Sequence, residues 1–348
     1  MDNITQRVIW GSLYTLITGK KTTKHFLLGA LITNIPDLDI FVSRFIYDNP
    51  IDQFFFHRGI FHSLIFLFWL SFVLGAILYY SDKKVAYRRY VLGVLVSVLF
   101  GHLLIDGMTT YGMRYFLPWN ITTFSTDNIF VVDFWMWFIV GAGMLTYFFW
   151  KQKAKIAKWI LGISAAYFAL SFIIQCSVQK TFEEHYPTEI TQVVESKTIV
   201  EPLQIFLWRH VAKTDDGFYK GYYSIFDSDK NIDWQFIPRN KDLETTIQWR
   251  SEDSANADTA RQISQILSFS RDLYTITGDI RSGLIVQNLL MGNLNGWLET
   301  WSSNNSMFWF EIKNENNTTR ITQQSNSSMR ELNKKTRNTF RSRVWGNK

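Results

Sequence analysis

Hydrophobic positions come in long unbroken runs through the first half of the chain and in short alternating segments through the second. An apolar run of about 18 residues or more is long enough to cross the hydrocarbon core of a bilayer. Ile60–Tyr80, Val91–Met108, Ile129–Trp150 and Trp159–Val178 reach that length and predict four membrane-spanning helices. The first is interrupted by His62, the second by His102 and Asp106, the third by Asp133, and the fourth carries no charge. Upstream, Ile4–Thr18 and His25–Ile35 are apolar but too short to cross alone at about 1.5 Å per residue. With Lys20, Lys21 and Lys24 between them, they predict a helical hairpin with its basic turn inward, either re-entrant or completed by flanking residues. Backbone at membrane depth has to be covered by protein, so the hairpin is expected to pack against the spans.

From Gln179 the period changes to that of strands. Gln204–Val211, Phe218–Phe226, Asp233–Ile237, Leu273–Thr277, Leu284–Leu289 and Met307–Ile312 read as strands, and Asp258–Ser270 as a helix. Asp215-Asp216-Gly217 is a hairpin-turn signal between the first two strands. The expected architecture is therefore mainly α. Residues 1–178 form a polytopic membrane bundle of a hairpin plus four spans, and residues 179–313 an α+β extramembrane domain. Residues 314–348 form a polar, basic tail, expected to be flexible.

Composition changes this picture little. A hydrophobic content of 47% averages two unlike halves, and the 14 Trp and 29 Phe suit membrane and interface surfaces. Buried helices of a soluble protein are the alternative for the four runs. The net charge of +6 lies largely in loops beside the apolar runs and in the tail, so it is no nucleic-acid signal and no nucleic-acid partner is expected. Charge does orient the chain. Lys83, Lys84, Arg88 and Arg89 form one basic loop and Lys151, Lys153, Lys155 and Lys158 another, whereas Thr109–Asn128 carries one Arg and one Asp. Basic loops favour the cytoplasm, which places Thr109–Asn128 and everything after Val178 outside. Cys176 is the single cysteine, so no intrachain disulfide can form. Residues 1–19 place Arg7 ahead of an apolar stretch but lack a small-x-small cleavage site, and are expected to remain in the mature protein.

Four of the six His lie in the membrane half. His102 and Asp106, four apart, share one face of a helix near the outer end of their span. Ionisable groups inside a span are costly, and imidazole with carboxylate suits Zn²⁺ and its neighbours. A hydrogen bond joining two helices is the plainer explanation. In His57-Arg58-Gly59-Ile60-Phe61-His62, the five-residue spacing puts His57 ahead of the helix, Gly59 at the bend and His62 one turn into the span. Arg58 has the geometry to grip an anionic group, or simply to reach for lipid headgroups. Asn34-Ile35-Pro36-Asp37-Leu38-Asp39 ends the hairpin's second arm at the proline. In an extended segment Asp37 and Asp39 would point the same way, to serve a metal or activate its water, although Pro-Asp-x-Asp is also a common turn. What favours the chemical reading is that three such clusters fall on the same side of the membrane.

Taken together these motifs resemble the YdjM-type family of membrane-bound metal-dependent hydrolases. The matching residues are Met1-Asp2-Asn3-Ile4-Thr5-Gln6, Ile35-Pro36-Asp37-Leu38-Asp39, His57-Arg58-Gly59-Ile60-Phe61-His62-Ser63-Leu64, and Gly101-His102-Leu103-Leu104-Ile105-Asp106 followed by Thr109-Thr110-Tyr111-Gly112. Asp215–Ser224 looks like part of the C-terminal extension of longer members. The same order of residues is similar to the zinc-dependent phospholipases C. That wider resemblance implies Asp37 or Asp39, His62, His102 and Asp106 as metal ligands, with Zn²⁺ as the expected ion. Two departures stand out: Gln6 falls where many relatives have His, and Thr109–Asn128 offers no further His or Glu, so one or two ions are expected rather than three.

The function this implies is hydrolysis of an ester, expected to be a phosphate ester of a lipid or lipid-linked substrate, by metal-activated water at the outer membrane face. Asp39 would act as base, Arg58 would hold the phosphate, and His57 would orient the site. Two rival expectations are an ion or proton relay in a transporter, and a non-catalytic metal-stabilised scaffold. A relay needs polar residues toward the inner ends of the spans, where Leu64–Ala76 and Val91–Phe100 offer only Ser71, Gly75, Gly93 and Ser97.

Overall fold

In a computed structural model of the chain, residues 1–252, 257–279, 283–291, 308–315, 318–325 and 341–346 are described. They form two compact units, one of Met1–Asp48 with Phe55–Phe172 and the other of Asn49–Phe54 with Ile173–Lys348.

The first unit is helical. The hairpin is made by α1 (Asn3–Thr18) and α2 (Thr23–Ile32). Asp2 caps the first arm through Ile4 N and Thr5 N, and Gly19 closes it in a left-handed conformation. Thr22 caps the second arm. Pro36 opens a 3₁₀ turn, Pro36–Leu38, that leads directly into α3 (Asp39–Ile46). Asp37 and Asp39 therefore stand on helical backbone rather than in the extended segment expected, because Pro is as well suited to the first turn of a helix as to a strand end. After α4 (Pro50–Phe56), a second 3₁₀ turn, Ile60–His62, precedes α5 (Leu64–Ser81). His62 thus lies just before the span instead of one turn inside it, with Ser63 capping Phe66 N.

Tyr87–Gly107 is one helix made of α6 (Tyr87–Val98), a π turn at Leu99–Leu103 and α7 (Leu104–Gly107). It is followed by α8 (Phe134–Phe149) and α9 (Lys153–Glu184). Among the described residues three helices are long and apolar enough to cross a membrane: Leu64–Ser81, Tyr87–Gly107 and Lys153–Glu184. Thr23–Ile32 with Pro36–Ile46, bent by 46°, is a broken span or a re-entrant loop. The third expected span shortens to the 16 residues of α8, about 24 Å at 1.5 Å each and less than a hydrocarbon core of about 30 Å. Asp133 causes this, since its carboxylate caps Met136 N and starts the helix only at Phe134.

α1 packs on α6 through a row of large residues on small ones. Trp10 and Tyr14 are fully buried, a Cβ at Gly101 would sit 2.0 Å from Trp10 Cδ1, and one at Gly93 would sit 3.3 Å from Tyr14 Cδ2. Around them Leu67, Tyr90, Val94, Val98, Leu103 and Met113 complete the core. This close approach brings the N-terminal end of α1 beside the end of α7.

The second unit has two antiparallel four-stranded sheets. β1 (Glu195–Val200), β2 (Leu207–Lys213), β3 (Gly217–Ser224) and β4 (Gln235–Pro238) form the first in that order. β5 (Tyr274–Asp279), β6 (Gly283–Asn288), β7 (Phe308–Glu315) and β8 (Thr318–Ser325) form the second. Two helices, α10 (Lys241–Ser251) and α11 (Ala257–Ser270), connect the sheets. β1, β8 and α10 were absent from the elements expected, and Met307, the expected start of β7, lies outside the described residues. β8 begins beyond the boundary drawn at 314, so the tail is not uniformly without structure. Near its end Arg343 donates to Tyr222 O at 2.9 Å and pairs with Asp227, and Val344 is buried.

Candidate metal centre

Three stretches remote in sequence converge at one end of the first unit. Pro36 starts the turn that presents Asp37 and Asp39. The bend after α4 presents His57, Arg58 and His62. The π turn and α7 present His102 and Asp106. At the bend Arg58 adopts φ +59°, and a Cβ on Gly59 would lie 2.6 Å from Phe56 O, so the turn tolerates no larger residue at position 59. Leu64 N donates to Tyr115 O at 2.9 Å and Tyr115 Oη to Leu103 O at 3.0 Å, which ties the starts and ends of the two helices together.

The side chains meet around Asp37 Oδ1, which lies 3.2 Å from His62 Nε2 and 3.5 Å from His102 Nε2. His102 Nε2 is 3.7 Å from Asp106 Oδ2. His62, His102 and Asp106 each bring one ligand atom to within 4.8 Å of the others, and so do Asp37, His57 and His62. Zinc bonds of about 2.0–2.2 Å at tetrahedral angles separate ligand atoms by about 3.3–3.6 Å, and the separations here, 3.2, 3.5 and 3.7 Å, bracket that range. The His62–Asp37 contact is also within hydrogen-bond reach, whereas the two contacts of His102 Nε2 are longer than a hydrogen bond of about 2.7–3.2 Å. Both ring nitrogens of His102 are buried without a hydrogen bond, an arrangement that a bound cation would satisfy. His62, His102 and Asp106 fit a divalent ion, and Asp37 with His57 and His62 makes a second group of three that shares His62.

Asp39 is placed differently. Fully buried, it sets Oδ1 2.8 Å from His57 Nδ1 and accepts Arg58 N–H on Oδ2 at 3.0 Å. The same Oδ2 lies 3.1 Å from His62 Nδ1, close but outside hydrogen-bond alignment. Proximity to the carboxylate still favours the proton on Nδ1 of each ring and leaves Nε2 with its lone pair. The Arg58 guanidinium donates to Thr109 Oγ1 at 3.1 Å and Gly112 O at 3.3 Å, lies 3.3 Å from Asp106 Oδ1 and faces the Tyr111 ring. It serves as a counter-charge to Asp106.

Gln6, noted in the sequence only as a departure from the family's His, joins this group. Its Nε2 donates to Asp106 Oδ1 at 2.9 Å, and the α-amino group of Met1 contacts the same oxygen. One Asp106 oxygen is thereby held by donors while the other faces His102. A buried amide at the N-terminal end of an apolar helix was the available signal, and so was Thr109, whose hydroxyl accepts from Arg58. His25, the remaining His of this half, pairs with Thr22 and Asp82 beside the basic turn, away from the cluster.

Apolar helices of spanning length with a His–Asp cluster buried at one end define a membrane protein with a candidate metal centre. Residues 1–178, which carry the whole cluster, match the family described as YdjM inner membrane protein, and the chain belongs to that family. No curated protein and no solved structure matches the chain.

Proposed function

We propose that the chain is a membrane-bound metal-dependent hydrolase that cleaves a phosphate ester of a lipid or lipid-linked substrate. The observation that carries this reading is the approach of His62 Nε2 and His102 Nε2 to one Asp37 oxygen, at 3.2 and 3.5 Å, with both His102 nitrogens buried and without a hydrogen bond. A divalent ion there, Zn²⁺ by its ligand set, supplies Lewis-acid activation of water and of a phosphoryl oxygen. The chain's own groups do the rest. Asp39, committed to two rings, orients His57 and His62. His57, partly open to solvent and fixed through Nδ1, is the group suited to accept a proton at Nε2, a role better matched to it than to Asp39. Arg58 and Gln6 hold Asp106 in one orientation.

The positive-inside rule places the loops at 83–89 and 151–158 in the cytoplasm, so the cluster, at the opposite ends of α5 and α7, faces outward. That depth suits a substrate presented by the membrane surface.

A relay function draws support from a row the apolar spans did not reveal: Gln6, Trp10, Tyr14 and Thr18, all buried along one stripe of α1. Trp10 interrupts it. An indole N–H donates but cannot accept a proton, and Val94 and Val98 belong to the same core cluster. Metal analysis of the purified protein, with phospholipids and phosphodiesters offered as substrates, tests the proposal. Stoichiometric metal and phosphate-ester cleavage are expected. Protein purified without chelators that neither carries nor takes up a divalent ion would end the hydrolase reading.

A further inference from the structure

The chain leaves the first unit after Asp48 and returns at Phe55, and the six residues between belong to the second unit. This excursion separates Asp39 from His57, two residues whose side chains are hydrogen-bonded. Within the second unit the excursion is held by directed contacts. Asp52 is nearly buried and places Oδ1 2.7 Å from Arg261 Nη1 and Oδ2 3.1 Å from Gln262 Nε2, both on α11. Phe54 meets Phe269 edge-to-face at 5.4 Å and Phe310 at 6.2 Å, and Ile51 is fully buried.

Only Phe55 and Phe56 separate this anchor from His57, and α4 is helical up to Phe56. A helix end with so short a continuation has no slack to absorb displacement. Beyond it His57 is fixed by Asp39, Arg58 N by the same carboxylate, and the Arg58 guanidinium lies against Asp106. Displacing α4 therefore shifts a ring at the centre and the counter-charge of a ligand together. Mutation of the groups that orient metal ligands costs about 10–100-fold in affinity.

We propose that Asp52 is a positioning residue for the metal centre: clasped by Arg261 and Gln262 of the C-terminal domain, it sets the placement of His57 and Arg58 through α4. The inference rests on the metal-centre reading above.

Co²⁺ is the probe, because its visible spectrum reports ligand geometry as well as occupancy. The full-length protein in detergent is titrated with Co²⁺ against a chromophoric chelator. Asp52→Arg is expected to weaken binding at least tenfold and to alter the spectrum of the bound ion. Asp52→Arg combined with Arg261→Asp is expected to restore both. Asp52→Asn, a milder change that keeps volume and one acceptor, is expected to fall between. Wild-type affinity and spectrum in Asp52→Arg and Asp52→Asn would overturn the positioning role, as would a loss that the charge swap does not restore. A wild-type protein that binds no Co²⁺ would instead remove the metal-centre reading, and this inference with it.

Discussion

Asp39 Oδ2 lies 3.1 Å from Nδ1 of His62, while Nε2 of the same ring lies 3.2 Å from Asp37 Oδ1. One imidazole thus stands between two carboxylates that are neighbours in sequence yet do different work. The carboxylate on the Nδ1 side favours a proton there, and the one on the Nε2 side shares the position where an ion would bind.

From this follows a graded response to neutralising the two acids. Asp37→Asn removes a ligand charge and is expected to abolish stoichiometric metal binding. Asp39→Asn leaves every ligand in place and removes only orientation, so a loss of about 10–100-fold in affinity is expected. Titration of each variant with Zn²⁺ against a competing chelator separates the two. Equal losses would mean that Asp39 is itself a ligand.

A second contrast separates ligation from helix pairing at His102 and Asp106. Asp106→Asn keeps volume and an acceptor for Gln6 and Arg58, so the bundle is expected to assemble, yet metal content should fall to background as in His102→Ala. His25→Ala should retain full metal content, because His25 pairs with Thr22 and Asp82 at the basic turn. Metal per purified molecule is the measurement. Full occupancy in Asp106→Asn would leave the pair as a structural contact.

Most of the cluster was legible in the sequence because ionisable groups in apolar runs carry their own signal. What was not legible depended on partners remote in the chain. The separate placement of Asp37 and Asp39 rests on a helical turn that Pro36 permits but does not dictate, and local pattern favoured an extended segment. Gln6 gains its role only because Trp10 fits against Gly101 and brings α1 to α7. The setting of Arg58 likewise depends on remote residues: Thr109 and Gly112 both accept from its Nη1. In the second unit β1 and β8 are polar enough to read as loop, and only pairing with β2 and β7 makes them strands.

The α1–α6 contact yields a packing test. Gly101→Ala would put a methyl group 2.0 Å from the ring of fully buried Trp10, and helix backbone on both sides leaves little room to yield. A loss of about 1–3 kcal/mol is expected, seen as a lower thermal midpoint in detergent. Gly141→Ala meets nothing within 4 Å and is expected to be neutral or to stabilise by up to about 1 kcal/mol. Similar midpoints for the two variants would show that α1 does not pack as described.

Orientation is open to chemical labelling. Ser228 is exposed, and its replacement by Cys in a Cys176→Ser background is expected to react with an impermeant maleimide in intact spheroplasts. A cysteine at Lys84, in the basic loop, should react only after lysis. The reverse pattern would turn the bundle over and put the metal centre at the cytoplasmic face.

The last prediction concerns acid stability of the C-terminal domain. His210 stacks on Phe182 with ring centroids 4.9 Å apart, and its two nitrogens meet Thr198 Oγ1 at 2.8 Å and Tyr186 Oη at 2.7 Å. Burial pushes its pKa down to about 3, from an ordinary value near 6.5. Between those values the unfolded chain binds a proton that the folded chain does not, so stability rises with pH across this window and falls as the pH drops through it. The slope from this one group is about 1.4 kcal/mol per pH unit. His210→Gln keeps one donor and one acceptor for the two hydroxyls but cannot titrate. Chemical denaturation at steps between pH 6.5 and 4, followed by the fluorescence of the full-length protein, should show a shallower decline in the variant, the carboxylates contributing equally to both. A parallel decline in the two proteins would mean that His210 is already protonated in the folded domain or is free to become so.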